Sequence, residues 1–363
     1  MSAPTIPRSA NINGRGFAVI YQNRAVGGFR NRIGFVPNSS GQFHAITKDM
    51  NSYETLTVSA DEKTLATVQD KTFANVYLIP AAGTGPNPPN PALPQEKGIY
   101  ELAWARNRGL YLREETDLVR ISPDGSNRTT LLSNIPFAGI STCPDGRTLL
   151  FSWAGRGGGV SFNIWRTDAD GTNQKQLTDG TNEGNAECSI DSKWAYFWEG
   201  PPGEIKRVPL EGGKAEVVPG TVIPDLSAFQ GQIGLSTDGK FLVFVATNSG
   251  SGSQTNPFQK LVIVPLDSGP QPPVRILDPN PHISGVARFT PDGRAIVYPI
   301  RQGDLQNLWL QPLDGSSGRQ ITNFKSDSIW SYRWSPDGKT LGMVRGHVDS
   351  DVILLRDTGS SAR

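Results

Sequence analysis

Three histidines, His44, His282 and His347, are the only imidazoles in the 363-residue chain. They fall in separate stretches and show no metal spacing such as H-E-x-x-H, so they read as structural or surface residues. Gly234-Leu235-Ser236-Thr237-Asp238 approaches the nucleophile elbow G-x-S-x-G but has Asp where the last Gly belongs. Gly155-Arg156-Gly157-Gly158-Gly159-Val160 has the look of a phosphate loop. It lacks the Walker lysine, and it joins two strands, so no helix N-terminus follows to hold an anion. Asp168-Ala169-Asp170-Gly171 has too few oxygen ligands for calcium and no distal Glu, and reads as a hairpin turn. These residues point to no catalytic group, no metal and no cofactor. Binding is the chemistry left, and arginine and aromatic side chains are its usual anchors because they bury area and still hydrogen-bond.

The elements that must position such anchors are marked by one motif. Trp334-Ser335-Pro336-Asp337-Gly338-Lys339 ends one strand, turns tightly and starts another. Pro336 presets φ, Asp337 can bond the backbone two residues on, and Gly338 supplies the positive φ that returns the chain. Clear copies stand at Cys143–Arg147, Ser236–Lys240 and Thr290–Arg294, weaker ones at Ser59–Lys63 and Ser189–Lys193, and degenerate ones near Asn13 and Asn107. Successive markers, Asn13, Asp61, Asn107, Asp145, Asp191, Asp238, Asp292 and Asp337, lie 38 to 54 residues apart. A period in the forties with several short strands per unit predicts an all-β propeller of four-stranded antiparallel blades, eight in number, with seven the alternative. The reading is one domain over 1–363, with repeats near 8–48, 53–98, 99–134, 138–180, 185–220, 231–279, 284–324 and 330–357. Phe241-Leu242-Val243-Phe244-Val245 has no polar side, as a strand sandwiched between two neighbours requires. The last repeat stops before its fourth strand, so ring closure is expected from the N-terminus, over Ala3–Pro7.

The formal charge is +1, which argues against a nucleic-acid partner. No run approaches a membrane span, Met1–Pro7 has no apolar core of a secretory signal, and the chain reads as a monomer. Cys143 lies two residues before Asp145 and Cys188 three before Asp191. Neighbouring offsets in a strand face opposite sides, so the pair reads as buried thiols rather than a disulfide.

Four strands per repeat, A to D, put the short A–B and C–D turns on one face and the B–C and D–A loops on the other. The latter vary in length, as at 154–162, 247–260 and 346–350, and variable loops on a rigid scaffold are where binding resides. The candidate contacts there are Trp153, Arg156, Trp198, Arg301, Trp330, Tyr332, Arg345 and His347. For each residue singly, packing within its own blade is an equal reading.

These units resemble the TolB-type, WD40-like propeller repeat, in which an S-P-D-G-K turn precedes an N-I-W strand, a D-G turn and a closing L-T. The pattern is met best at 163–178 and 307–345. Gln42–Val68, Phe162–Gly180 and Asn307–Asp357 are also similar to the extracytoplasmic propeller of bacterial receptor-type serine/threonine protein kinases. No H-R-D, D-F-G or V-A-I-K motif is present, so no phosphoryl transfer is expected of this chain. The resemblance implies a non-enzymatic sensor or binding module outside the cytoplasm, with a protein or envelope ligand. A docking scaffold like TolB is the alternative, and a propeller enzyme, a lyase or a peptidase-associated one, stands third.

Overall fold

The computed structural model describes residues 9–12, 14–22, 30–49, 51–81, 93, 98–107, 109–135, 137–155, 161–200, 203–248, 259–267, 269 and 272–356. The fold is all-β, with no α-helix among them. Seven antiparallel sheets form. Where one domain is expected, the chain divides into two compact units, 1–73 with 347–363, and 74–346.

The larger unit holds six sheets. Five follow the chain: Ile99–Trp104 to Thr129–Leu132, Phe137–Thr142 to Lys175–Gln176, Glu183–Cys188 to Glu216–Val217, Leu226–Leu235 to Arg275–Leu277, and Arg288–Phe289 to Arg319–Gln320. The sixth is composite. Ser328–Trp334 pairs with 340–346, which lies beside 74–80, and Val76 bridges Leu93 at the outer edge. First strands of consecutive sheets touch from Ile99–Trp104 round to Arg288–Phe289, Leu305–Pro312 of the fifth sheet touches Ser328–Trp334, and Ser328–Trp334 returns to Ile99–Trp104, which closes the ring. These sheets are propeller blades, and their first strands are the inner ones.

The expected count of eight, or seven, is not confirmed: six sheets form the ring among the described residues. The reason is local. Thr64–Pro80 is one 17-residue strand, not a B strand and a C strand. Its middle, Gln69-Asp70-Lys71-Thr72-Phe73, contains no Gly or Pro to turn the chain. Thr340–Arg356 is likewise one strand, so the expected loop over 346–350 does not form. Closure comes from 74–80 in third position rather than from Ala3–Pro7, which lies outside the described residues.

The core lies between blades. Thr148–Trp153 is buried along its whole length, and Leu242–Val245 is 0–2% exposed, as double coverage demands. The repeated turn behaves alike where Ser or Thr stands two residues before the aspartate, which the copy at Cys143–Arg147 lacks. In the sixth blade Ser335 Oγ donates to Asp337 Oδ1 (2.6 Å), which also accepts from Lys339 N (3.1 Å), while Ser335 Oγ accepts from Thr340 N (2.9 Å). Ser189/Asp191, Ser236/Asp238 and Thr290/Asp292 repeat it. The hydroxyl two residues before Asp191, Asp238 and Asp292 holds each of those three carboxyls below the usual range.

The cysteine reading is overturned. Cys143 and Cys188 form a disulfide, with Cα atoms 5.1 Å apart. They follow or end the inner strands of consecutive blades. Opposite facing, which argues against a bond within one sheet, is what a bond between two blades needs, because neighbours meet through opposite faces.

The smaller unit carries a four-stranded sheet, Ser9–Ile12, Gly16–Gln22, Asn31–Pro37 and His44–Ala45, together with Ser52–Tyr53, Thr57–Val58, 64–73 and 347–356. Ala18, Ile33, Tyr53, Leu56 and Leu65 form its core.

Candidate binding site

In the larger unit the six inner strands surround a cavity of about 380 Å³. Three lining residues share one place in their blades. Glu187, Arg288 and Arg333 each stand four residues before the turn aspartate, at 191, 292 and 337. Glu101, Gly139, Asn185, Val286 and Ser331 stand six before their markers. The repeat thus delivers the same offsets to the axis from different blades, and alternation in the inner strand selects every second residue.

The deep part is a charged cluster. Glu187 Oε1 accepts from Arg288 Nη1 (3.0 Å) and Oε2 from Arg333 Nη1 (2.9 Å). Their side chains are only 13, 15 and 18% exposed for Glu187, Arg288 and Arg333. Burial pushes the Glu187 carboxyl up, but the Arg333 and Arg288 guanidinium groups outweigh it and hold it below the usual carboxylate range. Burial and the charge of Arg333 push Arg288 down, although a guanidinium stays a cation. Arg288 Nε is buried without a hydrogen-bond partner.

Contacts run on around the ring. Arg333 Nη2 donates to Ile140 O (2.9 Å), and Ile140 N donates to Glu101 Oε2 (2.9 Å). Glu101 pairs in turn with Arg113 Nη2 (3.1 Å). Tyr332 Oη shares its one proton between Val286 O and Val297 O of the neighbouring blade (2.6 and 2.8 Å), and burial raises its pKa above the ordinary range. At the loop end, Gln306 Nε2 donates to Ser284 Oγ (3.0 Å) while its Oε1 accepts from Ile329 N (2.6 Å). Trp330 lines this end and stacks on Tyr100 with centroids 5.6 Å apart. Arg301 stands there exposed.

Of the eight residues expected as contacts, Arg301, Trp330 and Tyr332 line this one cavity. Tyr332 does so as a buried brace between blades. Trp153 is a core residue, 3% exposed and 4.7 Å from the Trp165 ring. Trp198 is half-buried against an inter-blade cluster. Arg345 is 3% exposed, with its guanidinium 3.6 Å from the Phe324 ring centroid, and donates to Ser326 O. It lies in a strand rather than on a loop, which is why it packs. His347 belongs to the smaller unit, stacked on Phe73 at 5.3 Å. Arg156 lies outside the described residues.

Glu101, Glu187, Arg288 and Arg333 are absent from the expected set. The signal that finds them is their offset from the turn markers, four residues for Glu187, Arg288 and Arg333 and six for Glu101.

No family profile and no curated protein matches this sequence. Solved structures do match. A TolB-assigned protein of Agrobacterium tumefaciens aligns with a TM-score of 0.61 at 15% identity, over 76% of this chain and 99% of that one. TolB from Acinetobacter baumannii aligns at 0.49 and 17% identity, over 91% and 80%. A chain of a nidogen/laminin complex aligns at 0.50 and 13% identity, over 75% and 98%. At such identities the likeness is one of fold, and the fold is that of a TolB-like β-propeller.

Proposed function

We propose that the chain is a non-enzymatic binding propeller that receives its ligand in the central cavity, through the end bearing the B–C and D–A loops. The observation that carries this is the lining itself: inner strands of all six blades converge on one opening, and among the described residues none of an A–B turn contributes. Arg301 and Trp330 at the mouth are anchor types suited to a protein or envelope ligand. The two carboxylates of the cavity support binding over catalysis. Each is engaged by arginine, and Glu187 is held ionised, so Glu187 is not poised as a general acid. The bond between Cys143 and Cys188 supports an oxidising, extracytoplasmic location. The resemblance to receptor-type kinase propellers implies a sensing role, of which binding is the step this chain contributes.

The test is a thermal-shift screen of envelope-derived peptides and glycans. Ligands that stabilise the wild type should lose their effect with Arg301→Glu. They should keep it when Arg147 and Lys240, exposed beside the short turns, are both reversed to Glu. Loss from the second variant alone, or equal loss from both, overturns the proposal.

A further inference from the structure

Two guanidinium groups share one carboxylate in the interior of this cavity. Glu187 balances one of them, and one positive charge is left over. The other carboxylate of the lining, Glu101, is already neutralised by Arg113. Arg301 adds a further cation at the mouth. A charge held out of water without a counter-charge is costly, and a protein tolerates it where something else supplies the opposite sign.

We infer that the cavity recognises a carboxylate, which enters past Trp330 and Arg301 and seats against Arg288 and Arg333. This rests on the binding reading above and names the ligand's chemistry. The guanidinium fork matches a carboxylate in shape, and the pair's remaining donors give it two partners at once. At about 380 Å³ the space takes a small acid or one acidic side chain with its neighbours, not a folded domain. The competing account is that the three charged groups only brace blades three, five and six across the channel. It predicts no ligand and the same sign of effect for each deletion.

Isothermal titration of the intact chain separates the two. One arm uses glutarate against its neutral diamide. The other uses the capped tripeptide Gly-Glu-Gly against Gly-Gln-Gly, so that a free acid and a peptide side chain are told apart. Acids should bind and amides should not. Arg333→Gln or Arg288→Gln should weaken acid binding about tenfold or more, as loss of one partner from a buried charge pair does. Glu187→Gln removes the competing carboxylate and should tighten it severalfold. That gain is beyond what a poorly folded variant can mimic. The inference is overturned if no acid binds the wild type, if acids and amides bind alike, or if Glu187→Gln weakens binding as the arginine variants do. If acids fail but library ligands still depend on Arg301, the binding reading stands and only the carboxylate falls. If acids bind and none of these variants changes the affinity, both fall.

Discussion

Glu187 is the residue on which the interior charge balance turns. Replacing it with Ala leaves Arg288 and Arg333 facing each other unpaired. Breaking a buried pair in this way costs about 3–5 kcal/mol, and urea midpoints at neutral pH should show a loss of that order. The pH dependence follows from the direction of the shift. The folded carboxyl lies below its ordinary value, so its contribution is complete above that value and lost as pH falls through the folded one. The stability gap between wild type and Glu187→Gln should hold constant near neutrality and close only in acid, below the ordinary carboxylate range. A gap that closes at higher pH would mean that Glu187 is not held ionised. At this scale the sequence was partly readable. Arg301, Trp330 and Tyr332 could be picked out as residue types at strand ends. Trp153 and Arg345 could not be told from contacts, because whether a large side chain faces a neighbouring blade or a solvent rim depends on packing across blades. Glu187 was hidden for a different reason: between Ala186 and Cys188, nothing local marks it as one corner of a three-blade cluster.

The recurring hairpin turn is the element that made the fold legible. Its glycines adopt positive φ, 69° at Gly293 and 68° at Gly338, but their surroundings differ. A Cβ on Gly293 meets nothing within 4 Å, whereas one on Gly338 would stand 2.6 Å from Pro291 Cβ of the preceding blade's turn. Gly293→Ala should therefore cost only the left-handed backbone penalty, about 1–2 kcal/mol. Gly338→Ala should add an overpacking cost of about 1–3 kcal/mol, because that neighbour is a stiff ring beside backbone. Chemical denaturation of the two variants gives the order, and equal losses would show that the turns do not abut. Trp334, half-buried against the cluster around Leu341 and Met343, should lose about 3 kcal/mol on truncation to Ala, the low end for a large aromatic. Turn chemistry is local, so it can be read from five residues. The long strands Thr64–Pro80 and Thr340–Arg356 were misread because a strand pattern says where side chains alternate, not where pairing changes partner.

For the ring as a whole, the cross-link between consecutive blades is the one covalent tie, and its residues are separated by 45 positions. Closing a loop of that length in the unfolded chain corresponds to about 4 kcal/mol in the chain-entropy account. The double variant Cys143→Ser, Cys188→Ser should fall short of wild type by up to that amount, and reductant should lower the wild-type urea midpoint while leaving the variant unchanged. An unchanged midpoint in the wild type would place the tie outside the stability of the ring.

The composite sixth blade bears on how the molecule is made. The strand at 74–80 precedes the five other blades in the chain, and its partner at 340–346 follows them all. Until then an apolar ribbon with Val76, Tyr77 and Ile79 on it has no neighbour on that side, and five blades wait as an open arc. Pairing of these two segments is therefore the step that seals the circle, against the large loop-closure entropy of distant pairing. Chains cut short before 340 should aggregate rather than form a shorter ring, because the exposed edge is a template for another chain. Once sealed, the ring opens only by parting, at one seam, two segments that stand on either side of the five intervening blades.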